Sequence, residues 1–334
     1  MENNIRYKKA KYNNTMLRPK MVSWDITNKC NLSCKHCFNN SGDSSHHNFL
    51  LELNYDEQML LANQIAEIKP AQCCLCGGET LLNENIYNIA EIISSNGFTM
   101  VNMVTNGLLL TDSVAKKLKQ SGVSHVQISV DGLGWQHDTF RNKAGAFERS
   151  IEAIQILKKN KMNVMVSFCP NKMNAGTIDV FVEYMYKTLG VDTIRTMPLL
   201  PMGRAASECK ELFLNSYETF EYVQKINQLR EKYPKVTIEW GDPLEHMFLV
   251  LHSKRKYPII MSISSSGNLT VTPYIPIVLG NVREHSLYEM WNNGYNKIWS
   301  NKEILKTIKQ VKSIYDLTQF NDEIYIGCES WKNT

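Results

Sequence analysis

Neither sign of charge dominates this chain. Its 37 Lys and Arg face 33 Asp and Glu, a formal net charge of +4, too small to imply a nucleic acid as partner. The basic residues that do gather, Arg6, Lys8, Lys9, Lys11, Arg18 and Lys20, open the chain, and a solvated arm is a simpler reading there than a site for an acidic partner. No apolar run is long enough to span a bilayer, so no membrane partner is expected. The N-terminus is charged and lacks the apolar core of a secretory leader. No tandem repeat recurs, which excludes a solenoid. Nine cysteines without such a leader point to a reducing compartment, where thiols serve metals or catalysis more than disulfides, and the expected location is the cytoplasm. The 334 residues, 43% apolar, suffice for one large core, or a core plus an appendage.

A further absence sharpens the most unusual stretch. Cys30-Asn31-Leu32-Ser33-Cys34-Lys35-His36-Cys37 supplies three thiols at i, i+4 and i+7, directly after an apolar segment, Met21 to Thr27. A structural zinc needs four ligands, and no fourth cysteine or paired histidine stands at zinc-finger spacing nearby. Three inert, buried cysteines this close together do not suit an Asn- and Ser-rich loop. Soft thiolates do suit iron–sulfur clusters. A four-iron cube takes four ligands, so a loop with three leaves one iron open to something other than a side chain.

The chain then alternates. Met21 to Thr27, Ala71 to Cys76, Phe98 to Val104, Ser124 to Val130, Asn163 to Cys169 and Thr193 to Pro198 read as strands. Asn54 to Ile68, Glu84 to Asn96, Thr111 to Gln120, Ala146 to Asn160, Ala175 to Leu189 and Tyr217 to Tyr233 read as helices. Asn39 to Asn54 reads as a long polar loop beside the cysteines. Six strand–helix units with short connections imply an α/β fold with parallel pairing and right-handed crossovers, an open partial barrel. Alternation stops near residue 234, which argues against a closed eight-fold barrel. Chemistry in such folds gathers at the carboxyl ends of the strands. The cysteine loop, Gly77-Gly78-Glu79, Thr105-Asn106-Gly107 and Ser129-Val130-Asp131-Gly132 all lie there.

The cysteine spacing, with an aromatic ring (His36) before the last thiol, resembles the signature of the radical SAM superfamily. There the open iron is chelated by the amine and carboxylate of S-adenosylmethionine (SAM). The resemblance implies a partial (β/α)6 barrel with one [4Fe–4S] cluster on Cys30, Cys34 and Cys37. Gly77-Gly78-Glu79 is similar to the family's element for the methionine amine, with Thr80 where Pro is usual. Alone it is a weak motif, since two glycines after a strand also make a simple turn. The ends of the third and fourth strands look like SAM-contacting ends, which gives Asn106, Ser129 and Asp131 to the ribose hydroxyls. Arg141 matches an arginine that pairs with the SAM carboxylate in peptide-modifying members; the plain reading is an exposed, solvated side chain. Met197-Pro198 and Pro201-Met202-Gly203-Arg204-Ala205 also resemble those members, and the motifs together cover residues 21 to 205.

Near residue 235 the chain changes character, so an arm (1–20), a barrel (21–234) and an α+β extension (235–334) are expected. Ile263 to Val271 reads as a hairpin. With Leu279-Gly280-Asn281-Val282-Arg283-Glu284, Ser286-Leu287 and Met290-Trp291 it resembles the SPASM/twitch extension, which surrounds auxiliary iron–sulfur clusters. The ligands for those clusters are missing. Tyr274 stands where a cysteine is expected, and Gly241 to Ile263 contains none; a phenol is a poor substitute for a thiolate at iron. Of the other cysteines, Cys73, Cys74 and Cys76 lie on the second strand, Cys74 and Cys76 on one face. Core packing is expected for Cys73 and Cys74. Cys169 ends the fifth strand, Cys209 follows the sixth, and Cys328 is near the C-terminus. A single reactive thiol in the pocket is simpler than a non-standard second cluster on these three.

The resemblance implies that one electron from the reduced cluster splits SAM into methionine and a 5′-deoxyadenosyl radical, which takes a hydrogen atom from an unactivated C–H bond. An external one-electron donor protein must supply that electron. The extension is closest to enzymes that mature ribosomally made peptides, so a peptide substrate is expected. Without auxiliary clusters a redox-neutral outcome, Cα epimerisation, fits best, with Cys169 or Cys209 returning a hydrogen atom; crosslinking is the rival. Twenty residues before the barrel cannot form the leader-binding module of many peptide maturases, which implies a separate leader-binding protein or binding by the tail. A small-molecule substrate such as a sugar or nucleoside, in a dehydratase, dehydrogenase or epimerase, is the second reading. A non-catalytic iron–sulfur sensor is disfavoured by the intact SAM-contacting strand ends.

Overall fold

A computed structural model describes residues 18–252, 258–320 and 324–326. Seven strands run parallel: β1 (Met21–Asp25), β2 (Gln72–Cys76), β3 (Met100–Thr105), β4 (Val123–Ser129), β5 (Asn163–Phe168), β6 (Thr193–Thr196) and β7 (Thr237–Trp240). On the other side of β1 lies β8 (Ile260–Ile263), also parallel to it, followed by the antiparallel β9 (Asn268–Thr272) and β10 (Ile275–Asn281). A short β11 (Ile324–Tyr325) pairs with β10. The described strands form one sheet in the order β11-β10-β9-β8-β1-β2-β3-β4-β5-β6-β7.

The helices are α1 (Tyr55–Ile68), α2 (Ile86–Ser94), α3 (Asp112–Gln120), α4 (Trp135–Arg141), α5 (Ala146–Lys159), α6 (Ile178–Glu183), α7 (Ala205–Glu208), α8 (Ser216–Lys232), α9 (Pro243–His252), α10 (Leu287–Asn292) and α11 (Lys302–Ile308). Their starts follow from local chemistry. Asn54 with Glu57, Asn215 with Glu218 and Ser286 with Glu289 form reciprocal capping boxes at α1, α8 and α10. Alternate strand residues such as Val22, Trp24, Leu75, Val101, Met103, Val126 and Ile128 are buried in one core with Leu61, Ile65, Ile89, Ile93 and Leu118 of the helices. The other strand face carries Ser23, Asp25, Cys74, Cys76, Asn102, Ser167 and Arg195.

That polar face is concave. Tyr274, in the turn after β9, and Met197, just after β6, lie seven strand positions apart in the sheet, roughly 33 Å if it were flat. The Tyr274 hydroxyl nevertheless donates to Met197 Sδ at 3.6 Å. The sheet is therefore rolled, and Tyr274 bridges its two limbs across the mouth of a lumen.

The parallel series runs one strand beyond its expected end, through β7. Residues after 234 thus supply both an outer parallel strand and the neighbour of β1. The helix expected over Ala175 to Leu189 begins with a tight turn (Ala175–Thr177) and ends in a wide one (Tyr184–Thr188). α4 was not expected, because Trp-Gln-His-Asp-Thr-Phe-Arg shows no apolar stripe. Residues 1–17 and Cys328 lie outside the described residues, and among those described no helix is long and apolar enough to cross a membrane.

Candidate functional site

β1 hands the chain to buried Ile26 and Thr27, and the cysteine loop begins. The polar stretch that follows the cysteines folds back as a strap. Glu52 accepts from the Thr27 hydroxyl (2.9 Å) and from the Asn28 N–H (2.5 Å). Asn39 Nδ2 donates to Asn28 Oδ1 at 2.9 Å, and His47 sits between them, its Nδ1 3.1 Å from Asn28 Nδ2 and its Nε2 2.5 Å from the Asn39 carbonyl. The expected loop beside the cysteines is thus ordered by side chains that read as unremarkable polar residues in sequence.

Two other segments press on the loop from either side. The Gly78 N–H donates to the Thr27 carbonyl (2.7 Å) and the Glu79 N–H to the Lys29 carbonyl (2.8 Å). A Cβ on Gly77 would lie 2.1 Å from the Thr27 oxygen, and one on Gly78 2.2 Å from the Lys29 oxygen. These glycines let the chain's own backbone approach, not only a ligand's. On the far side Gly203 meets the Cys37 and Phe38 carbonyls, where a Cβ would be 2.5 Å away. Arg204 Nε donates to the Cys34 carbonyl (2.9 Å) and Nη2 to the Ser41 carbonyl (3.1 Å). This arginine clamp escaped sequence reasoning, which noted the segment only as a resemblance.

Charge is arranged around Cys34. Arg141, at the end of α4, is partly buried rather than freely solvated, its side chain 12% exposed; its Nη1 lies 3.8 Å from Cys34 Sγ and its Nη2 2.6 Å from Asp131 Oδ2. Burial works against both charges, but Arg141 together with His36, His137 and the Cys169 N–H outweighs it for Asp131, and Asp131 together with Cys34 outweighs it for Arg141, so Asp131 stays below the usual carboxylate range and Arg141 above its usual value. Asp131 Oδ1 also accepts from the Cys169 N–H at 2.9 Å. His36 stacks on Phe140 with ring centroids 3.9 Å apart. Burial, then the Arg141 charge, lowers it to about 3, so the ring is neutral. Glu79 is fully buried. It accepts from the Thr105 hydroxyl (2.6 Å), the Asn106 N–H (2.8 Å) and the Leu81 N–H (3.1 Å), yet burial still raises its pKa. Asn106 Nδ2 reaches Asn31 Oδ1 at 2.8 Å, which ties the third strand's end to the cysteine loop. Ser129 accepts from the Ser167 hydroxyl at 3.3 Å.

The three loop thiols feel one another. Burial pushes Cys30 up to about 11, and the Cys34, Glu79 and Cys37 charges add to the rise. Burial raises Cys34 as well, so as bare thiols these two would stay protonated at neutral pH; a metal that binds thiolates reverses that. Donors already face the sulfurs: the Ser41 N–H lies 3.3 Å from Cys37 Sγ, and Arg141, whose Nε is buried without a partner, faces Cys34. Among the described residues no three such side chains converge on a single metal ion. A cube does not ask for that, because each thiolate takes its own iron. The donor set thus fits a sulfur-ligated anionic cluster.

Comparison with known proteins decides the family. The model of the "Radical SAM superfamily" matches residues 24–184. A probable GTP 3′,8-cyclase of Saccharolobus islandicus is 30% identical, over 62% of this chain and 67% of that protein. The chain belongs to the radical SAM superfamily. It is a SAM-dependent enzyme whose cofactors are a [4Fe–4S] cluster and SAM. Other radical SAM relatives include the AdoMet-dependent heme synthase of Methanosarcina barkeri, 28% identical over 82% of each chain. The sporulation killing factor maturation protein SkfB of Bacillus subtilis is 32% identical over 68% of this chain, which spans 52% of that protein. In fold the chain is similar to Streptococcus suis SuiB bound to S-adenosylmethionine (TM-score 0.66, 12% identity, 87% of this chain and 68% of that one).

The two thiols expected to return a hydrogen atom differ in place. Cys169 is partly exposed at the end of β5. Cys209 has no exposed surface and packs with Phe140, Leu199, Ala205 and Phe213. Cys73 is in the core as expected, whereas Cys74 turns to the lumen beside Cys76.

Proposed function

We propose that Cys30, Cys34 and Cys37 hold the [4Fe–4S] cluster, and that SAM lies over the strand ends formed by Gly77, Gly78, Glu79, Asn106, Ser129, Asp131 and Arg141. The observation that carries this reading is the partly buried Arg141 cation, fixed by Asp131 and facing Cys34. Cluster and SAM together supply a radical that takes hydrogen from an unactivated C–H bond. The chain's own residues do the rest. The strap and the two clamps hold the loop's backbone in place, Arg141 offsets sulfur charge, and neutral His36 adds none. Glu79 acts by fixing the Thr105–Asn106 turn against Asn31.

The substrate on this reading is a ribosomally made peptide, epimerised at Cα or crosslinked. The similarity to SkfB supports a peptide. After Cys209 the sequence has only Cys328, too few thiols for the auxiliary clusters of an oxidative extension, which favours epimerisation. Cys169, partly exposed, then suits hydrogen return better than buried Cys209. A one-electron donor protein completes the system. A small-molecule substrate is the second reading, favoured by the heme synthase relative that matches over 82% of both chains.

Anaerobic reconstitution tests the site. About four irons per chain are expected, and none in a Cys30/Cys34/Cys37→Ala variant; full iron in that variant overturns the assignment. Formation of 5′-deoxyadenosine is then measured with short peptides encoded beside the gene, with sugars and with a tetrapyrrole. Stimulation by peptide alone supports the lead reading; stimulation by a small molecule alone replaces it.

A further inference from the structure

Cys74 and Cys76 play no part in the site as described, yet they form its closest thiol pair. They alternate with Cys73 on β2, so both face the lumen, and both are partly exposed there. Their sulfurs lie 3.2 Å apart, and the Ser23 hydroxyl lies 3.9 Å from Cys76 Sγ. In register on β1, Ser23 stands beside Cys74 and Asp25 beside Cys76. Cys76 directly precedes Gly77-Gly78, so the pair sits at the carboxyl end of its strand, under the ring of residues assigned to SAM.

We propose that Cys76, in place of Cys169, returns the hydrogen atom to the substrate radical and that Cys74 takes up the radical left behind; this rests on the radical SAM site assigned above. The Cys76 S–H bond breaks as the substrate C–H bond forms, leaving a Cys76 thiyl. Cys74 adds to it as its S–H proton passes to Asp25, giving a disulfide radical anion. One electron passes to an oxidised electron-carrier protein, leaving a disulfide. A dithiol reductant reopens that disulfide with two electrons and two protons, and Asp25 releases the proton it took.

The surroundings suit these roles. Either sulfur can donate the shared S–H to the other; the contact lowers Cys74, and the Arg195 charge across the lumen adds to the effect. Asp25, also facing the pair, raises both sulfurs and can take the proton that Cys74 gives up. A strand rise of about 3.3 Å per residue sets Cα atoms two apart at about 6.6 Å, near the upper limit of a disulfide's reach. The longer sulfur–sulfur bond of the radical anion suits that spacing better than a full disulfide, and a disulfide there is easily reduced.

Two measurements test this. Apo-protein treated with diamide should lose alkylation at Cys74 and Cys76 together, the fragment carrying both becoming lighter by two hydrogens, with recovery in dithiothreitol. In Cys74→Ser and Cys76→Ser the remaining thiol should stay alkylatable. Wild type in which both thiols stay open after diamide overturns the pair. Reconstituted enzyme is then given SAM and dithionite in deuterated water without substrate, where the radical takes hydrogen from the weakest bond in reach. Deuterium should appear in 5′-deoxyadenosine from wild type, fall to background in Cys76→Ser, and persist in Cys209→Ser. Unchanged deuterium in Cys76→Ser overturns the donor assignment. Absence of 5′-deoxyadenosine from wild type would instead overturn the cluster site on which the proposal rests.

Discussion

A single methyl group at position 78 is enough to test how the cysteine loop is held. Gly78→Ala places Cβ 2.2 Å from the Lys29 carbonyl, so the loop must retreat, at a cost of about 1–3 kcal/mol. The variant is expected to keep its helical circular dichroism while losing most of its reconstituted iron; retention of iron would show that the close approach is not needed for the cluster. Asp25 tests the lumen. Burial alone raises its carboxyl to about 6, above the unfolded value near 4. The native chain therefore binds this proton more tightly than the unfolded chain does. Stability falls as pH rises from about 4 to about 6 and remains lower above that. Asp25→Asn removes this cost. With partial solvent access discounted, a gain of about 1–2 kcal/mol at neutral pH is expected, fading to none near pH 4. Urea unfolding at both pH values checks it, and equal gains at both would refute the assignment.

At the scale of elements, long-range arginine contacts join pieces that the sequence keeps apart. Arg283, before α10, donates to Glu57 of α1 through Nε (2.6 Å) and Nη2 (2.9 Å). It also reaches the Leu51, Glu52 and Ser266 carbonyls. Arg283→Lys cannot reproduce this fork. It should lower stability by about 1–2 kcal/mol, the partial exposure of the pair having been allowed for, as read by urea unfolding; an unchanged midpoint would mean the contact is incidental. Such contacts mark the limit of what the sequence reveals. The first six parallel strands, the long helices between them and the Asn54 cap were legible because they depend on period and on neighbours within four residues. The α4 helix was not, since its polar composition hides it and burial of Phe140 and Arg141 comes from tertiary packing. Arg204 was not, because its carbonyl partner at Cys34 is 170 residues away. Glu52 and His47 were not, because bonds from a strap to a loop follow no period. The Asp131–Arg141 pair was not legible either: the family resemblance implied separate SAM partners for the two residues, and the structure pairs them.

For the molecule as a whole, β1 matters most, because it carries the cysteine loop and lies between the two limbs of the sheet. β2 flanks it on one side and β8 on the other, with Met21 to Trp24 in register with Ile260 to Ile263. Further ties cross the same seam. The Leu53 N–H donates to the Ser265 carbonyl, the Leu287 N–H to Gln64 Oε1, and Tyr274 reaches Met197 across the lumen. If residues from 235 on were an appendage, a chain ending at 234 would keep the three cysteines, both glycine clamps, Arg141 and Arg204, and should still take up about four irons. The sheet predicts otherwise. Truncation turns β1 into an edge strand, with its outer hydrogen-bonding groups unpaired and Val22 and Trp24 stripped of neighbours, a template for aggregation. The shortened chain is expected to be insoluble, or to unfold at lower urea than the full chain and hold little iron. The full chain should lose its iron–sulfur absorbance and its helical signal in one coincident urea transition, because the strand that bears the cluster loop and the strand that supports it belong to one sheet. Two separate transitions, with the iron–sulfur signal surviving the first, would show that the barrel stands without its C-terminal limb.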